Sequence, residues 1–414
     1  MSVTPFGKYK NVKVVELDEP THVLLQDGSA DYREPDALTI EKFANTLPDR
    51  SRGYTITGTR VEDDLPVQWE TAVCETTGAI STFKAADFIP TLRKCATPEI
   101  DARHQQNPTY QARQIQLNAY ASRVARDASR YRTDGPYKIP VVVHVVYNTD
   151  AQKISVEQVQ SQIDALNKDY RATNTNKGTV PPVWNGLVTD ANVEFALATK
   201  TPAGAASNGV TYTQTNVLAF GSDDAVKSTA TGGADPWSTQ QYLNIWVCNL
   251  AGGLLGYAQF PGGPEATDGV VIRSTAFGTI GTATAPFNLG RTATHEIGHY
   301  FNLRHIWGDV LGCAGTDYVD DTPQAEAPNY GTPAFPHVTC NNGPNGDMFM
   351  NYMDYVNDSA MAMFTPGQVA RMTATLTGPR ASLTANTAVG SRSFAMLVDT
   401  MAAEGVSVWE GWAQ

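Results

Sequence analysis

The sequence predicts an α/β (α+β) protein in which helices pack on a twisted mixed sheet, set behind an N-terminal region of different character. Three observations carry this expectation. After residue 136, apolar runs and apolar/polar alternations of strand length are interleaved with segments of helical period. The residues before that point lack such order. The chain has 414 residues, 42% of them apolar and 17% charged, enough for a core and long enough for more than one folding unit.

Taken in order, residues 1–90 carry scattered strand-like runs at 12–17 and 53–61, and read as an accessory or pro-region. Segment 107–132 reads as a polar helix rich in arginine (Arg113, Arg123, Arg126, Arg130, Arg132), and TDGP at 133–136 breaks it. Residues 91–136 are therefore expected to link the N-terminal region to the main domain at 137–380. Within that domain, 139–147 is an apolar strand holding His144. Ser155 with Gln158 forms a capping box. Val156, Val159, Ile163, Leu166 and Tyr170 then recur at spacings of three and four, giving one apolar helix face. Val193, Phe195 and Leu197 alternate as in a half-buried strand; 242–247 and 268–273 are further strands. The glycine-rich stretch 251–263 separates these last two, with a rim strand near 254–259 able to take peptide backbone by strand addition. A helix is expected from about Asn288. Residues 381–414 form a tail.

Net charge is −12, from 42 acidic and 30 basic residues, which argues against nucleic acid as a partner. No apolar run is long enough to span a bilayer. The first residues lack the apolar core of a secretory signal. The five cysteines, Cys74, Cys95, Cys248, Cys313 and Cys340, are too few for a disulfide scaffold, and their odd number leaves at least one unpaired within the chain.

Residues 294–309 read THEIGHYFNLRHIWGD. His295 and His299, four apart, share one helical face and can reach one ion. His305 reaches the same ion if the chain turns back, and Asn302 stands where that turn falls. Asparagine tolerates the left-handed conformation that often ends a helix. Three imidazoles leave a fourth position for water, as in catalytic zinc sites. Zinc lowers the pKa of that water. Glu296, beside the first ligand, is placed as general base and acid. A bare HExxH arises by chance; a third histidine at this spacing makes chance a poor account.

HExxHxxGxxH followed by a methionine turn is the metzincin signature, and this chain resembles the pappalysin (cytophagalysin) family of secreted endopeptidases over roughly 137–380. GCAGTDYVDDTPQ (312–324), FPHVTCNNGPNGDMFMNYMDY (335–355) and MFTPGQVARM (363–372) carry the resemblance further. It implies a zinc-dependent endopeptidase acting on proteins or peptides. It implies Met353 beneath the metal, Tyr355 beside the oxyanion, and a disulfide between Cys313 and Cys340, worth roughly 3 kcal/mol in the chain-entropy model. It also implies calcium near Asp317, Asp320, Asp321 and Thr322, hard oxygens of the kind calcium takes, with a solvated acidic turn as the bland alternative. Asp358 or Ser359 would sit in a pocket favouring Arg or Lys after the scissile bond. RKCATPEID (93–101) resembles the cysteine-bearing propeptide segment of the family, so Cys95 is a candidate latency ligand, with an incidental loop cysteine as the alternative. Asn302 and Ala96 replace glycines of the family pattern.

The resemblance implies an extracellular protein, whereas the opening residues point to a non-classical or delivered route. Two rival readings remain at this level. One is a delivered toxin or effector. The other is a catalytically idle zinc protein that only binds, which would be expected to lack Glu296.

Overall fold

The computed structural model describes residues 90–127, 131 and 135–384 in full, and the backbone of three strands before them. The chain divides into two compact units. The first lies within Met1–Pro90 together with Ala251–Gly253; the second comprises Thr91–Leu250 and Leu254–Gln414. In the first, β1 (Lys10–Glu16), β2 (Tyr54–Glu62) and β3 (Leu65–Val73) form an antiparallel sheet in that order. The β2–β3 register runs from Tyr54 opposite Val73 to Glu62 opposite Leu65.

The second unit is built on a mixed sheet. Its long central strand β4 (Tyr137–Tyr147) is paired in parallel on one side with β5 (Val193–Leu197) and then β6 (Val210–Gln214). On its other side lie parallel β7 (Leu243–Cys248) and β9 (Val270–Arg273), and finally β8 (Gly256–Ala258), antiparallel to β9, at the edge. Both faces are covered, which is why β4 and β7 read as continuous apolar runs. Val141, Val143, Val145, Ile245 and Ile272 pack on one side with Val159, Ile163 and Leu166. Val146, Trp246 and Val271 face Phe220, Val226 and Leu250 on the other.

Five helices of the second unit matter here. They are α1 (Thr97–His104), α2 (Pro108–Arg126), α3 (Val156–Tyr170), α4 (Arg291–Tyr300) and α5 (Pro366–Thr377). The expected apolar face of α3 is buried from Val159 to Tyr170, with Val156 half-buried, but its capping box is half made. Ser155 Oγ accepts the Gln158 N–H at 3.2 Å. The Gln158 side chain instead donates to the carbonyls of Phe277 (2.8 Å) and Ser274 in the chain leaving β9. Helix α4 begins at Arg291 rather than 288, because Leu289 N and Arg291 N both donate to Asp358 Oδ2, at 2.8 and 3.3 Å, and hold the preceding residues in a turn. The arginine-rich helix ends at Arg126, and residues 128–130 and 132–134 lie outside the described residues. The tail beyond Thr384, Cys74 and His22 also fall outside them. His144 is a sheet residue as expected, buried between Thr211 Oγ1 and Asn244 Oδ1, each 2.9 Å away.

Candidate active site

Helix α4 carries His295 and His299 on one face and stops at Phe301. Asn302 adopts φ +72°, its N–H donating to His299 O (2.8 Å) while Leu303 N donates to Gly298 O (2.9 Å). That pair of bonds is a Schellman close, so asparagine takes the role glycine usually plays. The chain reverses and delivers His305. The three Nε2 atoms then lie 3.1, 3.2 and 3.0 Å apart. Nitrogens about 2.0–2.1 Å from a tetrahedral ion stand only slightly farther apart than this.

Each Nδ1 faces a group that only accepts: Tyr352 O at 2.7 Å for His295, Leu303 O at 2.7 Å for His299, and Asp309 Oδ1 for His305. Each ring is thereby fixed with its proton on Nδ1 and its Nε2 lone pair aimed at the shared point. Three buried lone pairs converging without a cation would repel; with one they are ligands. Burial holds His295 and His299 well below the usual imidazole range, so both are neutral, as ligands must be.

The methionine turn closes the site from below. Met353 is fully buried, and a Cβ added to Gly298 would stand 2.5 Å from its sulfur, so any larger residue there would have to displace the methionine side chain. Its neighbour Tyr352 supplies the carbonyl that orients His295. Tyr355 packs edge-on to His305 (centroids 4.8 Å) and its hydroxyl donates to the Cys95 carbonyl at 3.4 Å.

The segment before α1 lies across all of this. Cys95 pairs with Gly256 at the free edge of β8, with Ala96 N donating to Gly256 O and Leu255 N to Lys94 O. Arg93 and Cys95, two apart in the stretch paired with β8, face one way, and Thr97, the first residue of α1, also reaches the site. Cys95 Sγ joins His295, His299 and His305 in a buried group whose ligand atoms lie within 4.8 Å of one another. It also stands 3.3 Å from Glu296 Oε2. Thr97 Oγ1 donates to the same carboxylate oxygen at 3.1 Å and accepts the Ala258 N–H at 2.8 Å. Arg93 meets Asp358 at 2.6 Å, both side chains buried. Burial raises Glu296 to about 8. Burial, and then the Glu296 carboxylate, push the Cys95 thiol well up, so a thiolate here requires a nearby cation.

Arg93 and Thr97 were part of the RKCATPEID segment but had no role of their own in the sequence reading, and Asp309 did not stand out. Position i±2 from Cys95 and i+4 from His305 were the available signals. Ser359 is exposed, whereas Asp358 is the buried group of that pair. Cys313 and Cys340 form a disulfide. The carboxylates expected near calcium are engaged separately. Asp317 accepts from Val319 N and Thr322 Oγ1, Asp321 accepts from Thr365 Oγ1 and Gly367 N, and Asp320 is exposed.

A buried three-imidazole centre with a carboxylate alongside, at the edge strand of a mixed sheet, defines a metalloendopeptidase. The peptidase M43 family model, described as Pregnancy-associated plasma protein-A, matches residues 227–377. An extracellular metalloprotease of Arthroderma benhamiae is 33% identical over 241 residues, 56% of this chain and 75% of its own. Mature mirolysin of Tannerella forsythia, solved with a cleaved peptide, is 49% identical (TM-score 0.60), covering 61% of this chain and 97% of its own. A promirolysin mutant from the same organism is 44% identical (TM-score 0.64), covering 70% and 97%. The chain belongs to the pappalysin (cytophagalysin) family of metzincin metallopeptidases.

Proposed function

We propose that this chain is a zinc endopeptidase made as a latent precursor, with His295, His299 and His305 holding the ion and Glu296 as general base. The three convergent Nε2 atoms, each ring fixed by its Nδ1 partner, carry this reading. The residues fit zinc: neutral nitrogen donors, near-tetrahedral spacing, and room for one further ligand. When bound, zinc supplies Lewis acidity toward water and the scissile carbonyl. Glu296, freed of Cys95 and Thr97, takes a proton from water and returns it to the leaving amine. The Tyr355 hydroxyl, now donating to a peptide carbonyl, would donate to the developing oxyanion.

The organisation we infer is an accessory or pro-region at 1–90, a prosegment within 91–136, the catalytic domain at 137–380 and a tail at 381–414. The prosegment fills the three working parts of the site together: Cys95 the metal position, Thr97 the base, and Arg93 the carboxylate of Asp358. The Arg93–Asp358 pair supports a preference for Arg or Lys after the scissile bond. The disulfide and the names of the fungal relatives support work outside the reducing cytosol.

The test compares the chain with Glu296→Ala, before and after proteolytic removal of the prosegment. Zinc near one per chain is expected in both, with casein cleavage by the wild type alone and only after removal. Zinc without cleavage would leave a binding protein; absence of zinc would overturn the reading.

A further inference from the structure

Resting on the latency reading above, we propose that the prosegment is held by two separate surfaces. The second is a lateral face of the catalytic domain, built by α5 and the Pro261–Gly262 turn. It docks the amphipathic helix α2 firmly enough that cutting the chain after α2 leaves the enzyme inhibited.

The contacts at the metal position, base and Asp358 end with Thr97. Helix α1 follows, with Ile100 in the core and Asp101 paired to Arg304 at 3.1 Å. Next comes a solvent-facing turn in which Gln106, Asn107, Pro108 and Thr109 are exposed. Helix α2 then buries one stripe: Tyr110, Gln114, Leu117, Tyr120, Ala121 and Val124, at helical spacing, with Leu117 and Val124 fully covered. Its far end packs on Ala370 and Ala374 of α5. Four polar ties set the register: Gln114 Nε2 to Pro261 O (2.6 Å), Arg113 Nη1 to Gly262 O (3.1 Å), Arg371 Nη2 to Asn118 Oδ1 (2.9 Å), and Tyr120 Oη with Thr377 Oγ1 (3.0 Å). The opposite face carries Ile115, 70% exposed. An apolar stripe with aromatic anchors and peripheral hydrogen bonds is the anatomy of a helix-in-groove interface.

None of these α2 partners touches the metal position, Glu296 or Asp358. A cut in the arginine-rich stretch beyond α2 removes none of them. The docked helix keeps Arg93, Cys95 and Thr97 at high effective concentration over the site. A cut in the exposed turn parts the blocking strand from its anchor. The structure therefore assigns full activation to loss of the α2 contact or to cleavage at 105–108, not to the first cut alone.

The test inserts a recognition sequence for a sequence-specific protease between Arg132 and Thr133 of the full chain, and in a second version also between Gln106 and Asn107. Retention is read by native mass spectrometry in a Glu296→Ala background; activity is read on casein with Glu296 intact. After the single cut the two pieces are expected to stay together and casein cleavage to stay near that of the uncut chain. The double cut is expected to release activity. Leu117→Ala, introduced in the singly cut protein, should weaken retention on the order of a hundredfold, the scale of truncating a fully buried leucine. Ile115→Ala on the exposed face should not. Immediate separation with full activity after the single cut would overturn the proposal, as would equal behaviour of the two variants. Retention is measured without activity, so separated but inactive protein would count against the peptidase reading, while the mass data still decide the docking.

Discussion

Asp309 shows how much one side chain can govern a metal centre. Gly308 and Asp309 both have positive φ, +71° and +60°, and a Cβ on Gly308 would meet Thr316 N at 2.1 Å, so the chain can curl back only with glycine there. The curl sets Asp309 against His305 Nδ1, while Trp307 stacks on the ring's face, centroids 4.4 Å apart. The other two histidines lean on neutral carbonyls, so in the proposed centre Asp309 would be the charged partner that strengthens His305 as a ligand. Asp309→Ala should weaken zinc binding roughly 10–100-fold by chelator competition. Asp309→Asn, which can still accept the Nδ1 proton, should fall between; equal affinity in all three proteins would remove Asp309 from the centre. A second carboxylate makes a pH prediction. Burial raises Asp317 to about 7, against about 3.9 for an unfolded aspartate. The folded state therefore keeps a proton that the unfolded state sheds. The stabilisation is complete below about pH 4 and is lost as pH rises through about 7. Asp317→Asn can keep both hydrogen bonds, so its melting temperature should gain on the wild type between pH 5 and 8. A calcium-induced rise in wild-type melting temperature at pH 8, absent in the variant, would instead mean that this carboxylate holds a cation.

At the scale of elements, what could be read from the sequence was what repeats locally. The face of α3, the shared face of His295 and His299 on α4 and the asparagine turn follow from spacing within at most 15 residues, and the helices and the turn fall where that spacing places them. Element ends were less legible, because partners remote in sequence set them. Asp358 fixes the start of α4 from beyond the methionine turn. Gln158 leaves its own helix terminus to satisfy carbonyls after β9. The start of α5 shows the same dependence. Thr365 and Gln368 make a complete capping box, and Asp321, from the loop before the disulfide's second cysteine, accepts from both Thr365 Oγ1 (2.6 Å) and Gly367 N (2.7 Å). Asp321→Ala should therefore cost about 1–2 kcal/mol of unfolding free energy, as loss of a helix cap does. Urea denaturation would measure it. A change near zero would mean that the capping box alone holds this end.

Across the whole molecule, the part least legible in the sequence is the part that joins its ends. RKCAT resembles a latency segment, but nothing local shows that its arginine finds a carboxylate far along the chain, or that α2 lies on α5. Such contacts depend on the closed fold. Asp358 concentrates the consequence: it caps α4, accepts the Arg93 guanidinium, and once the prosegment leaves is a buried carboxylate without its cation. Losing one partner of a buried ion pair costs about 3–5 kcal/mol, so a substrate that brings a new guanidinium or ammonium to that place regains stabilisation an apolar residue cannot supply. The liberated enzyme should cut before Arg or Lys in a peptide library. Asp358→Asn, which keeps an acceptor for Leu289 and Arg291, should lower kcat/KM for the arginine peptide on the order of a hundredfold, and far less for an apolar one. The same substitution should make the uncut chain leak activity, because Arg93 loses its counter-charge. Both readouts must move together. Leakage with unchanged selectivity would confine Asp358 to holding Arg93 and the start of α4, with no part in substrate choice, and unchanged latency with lost selectivity would mean that Cys95 and Thr97 suffice to close the site.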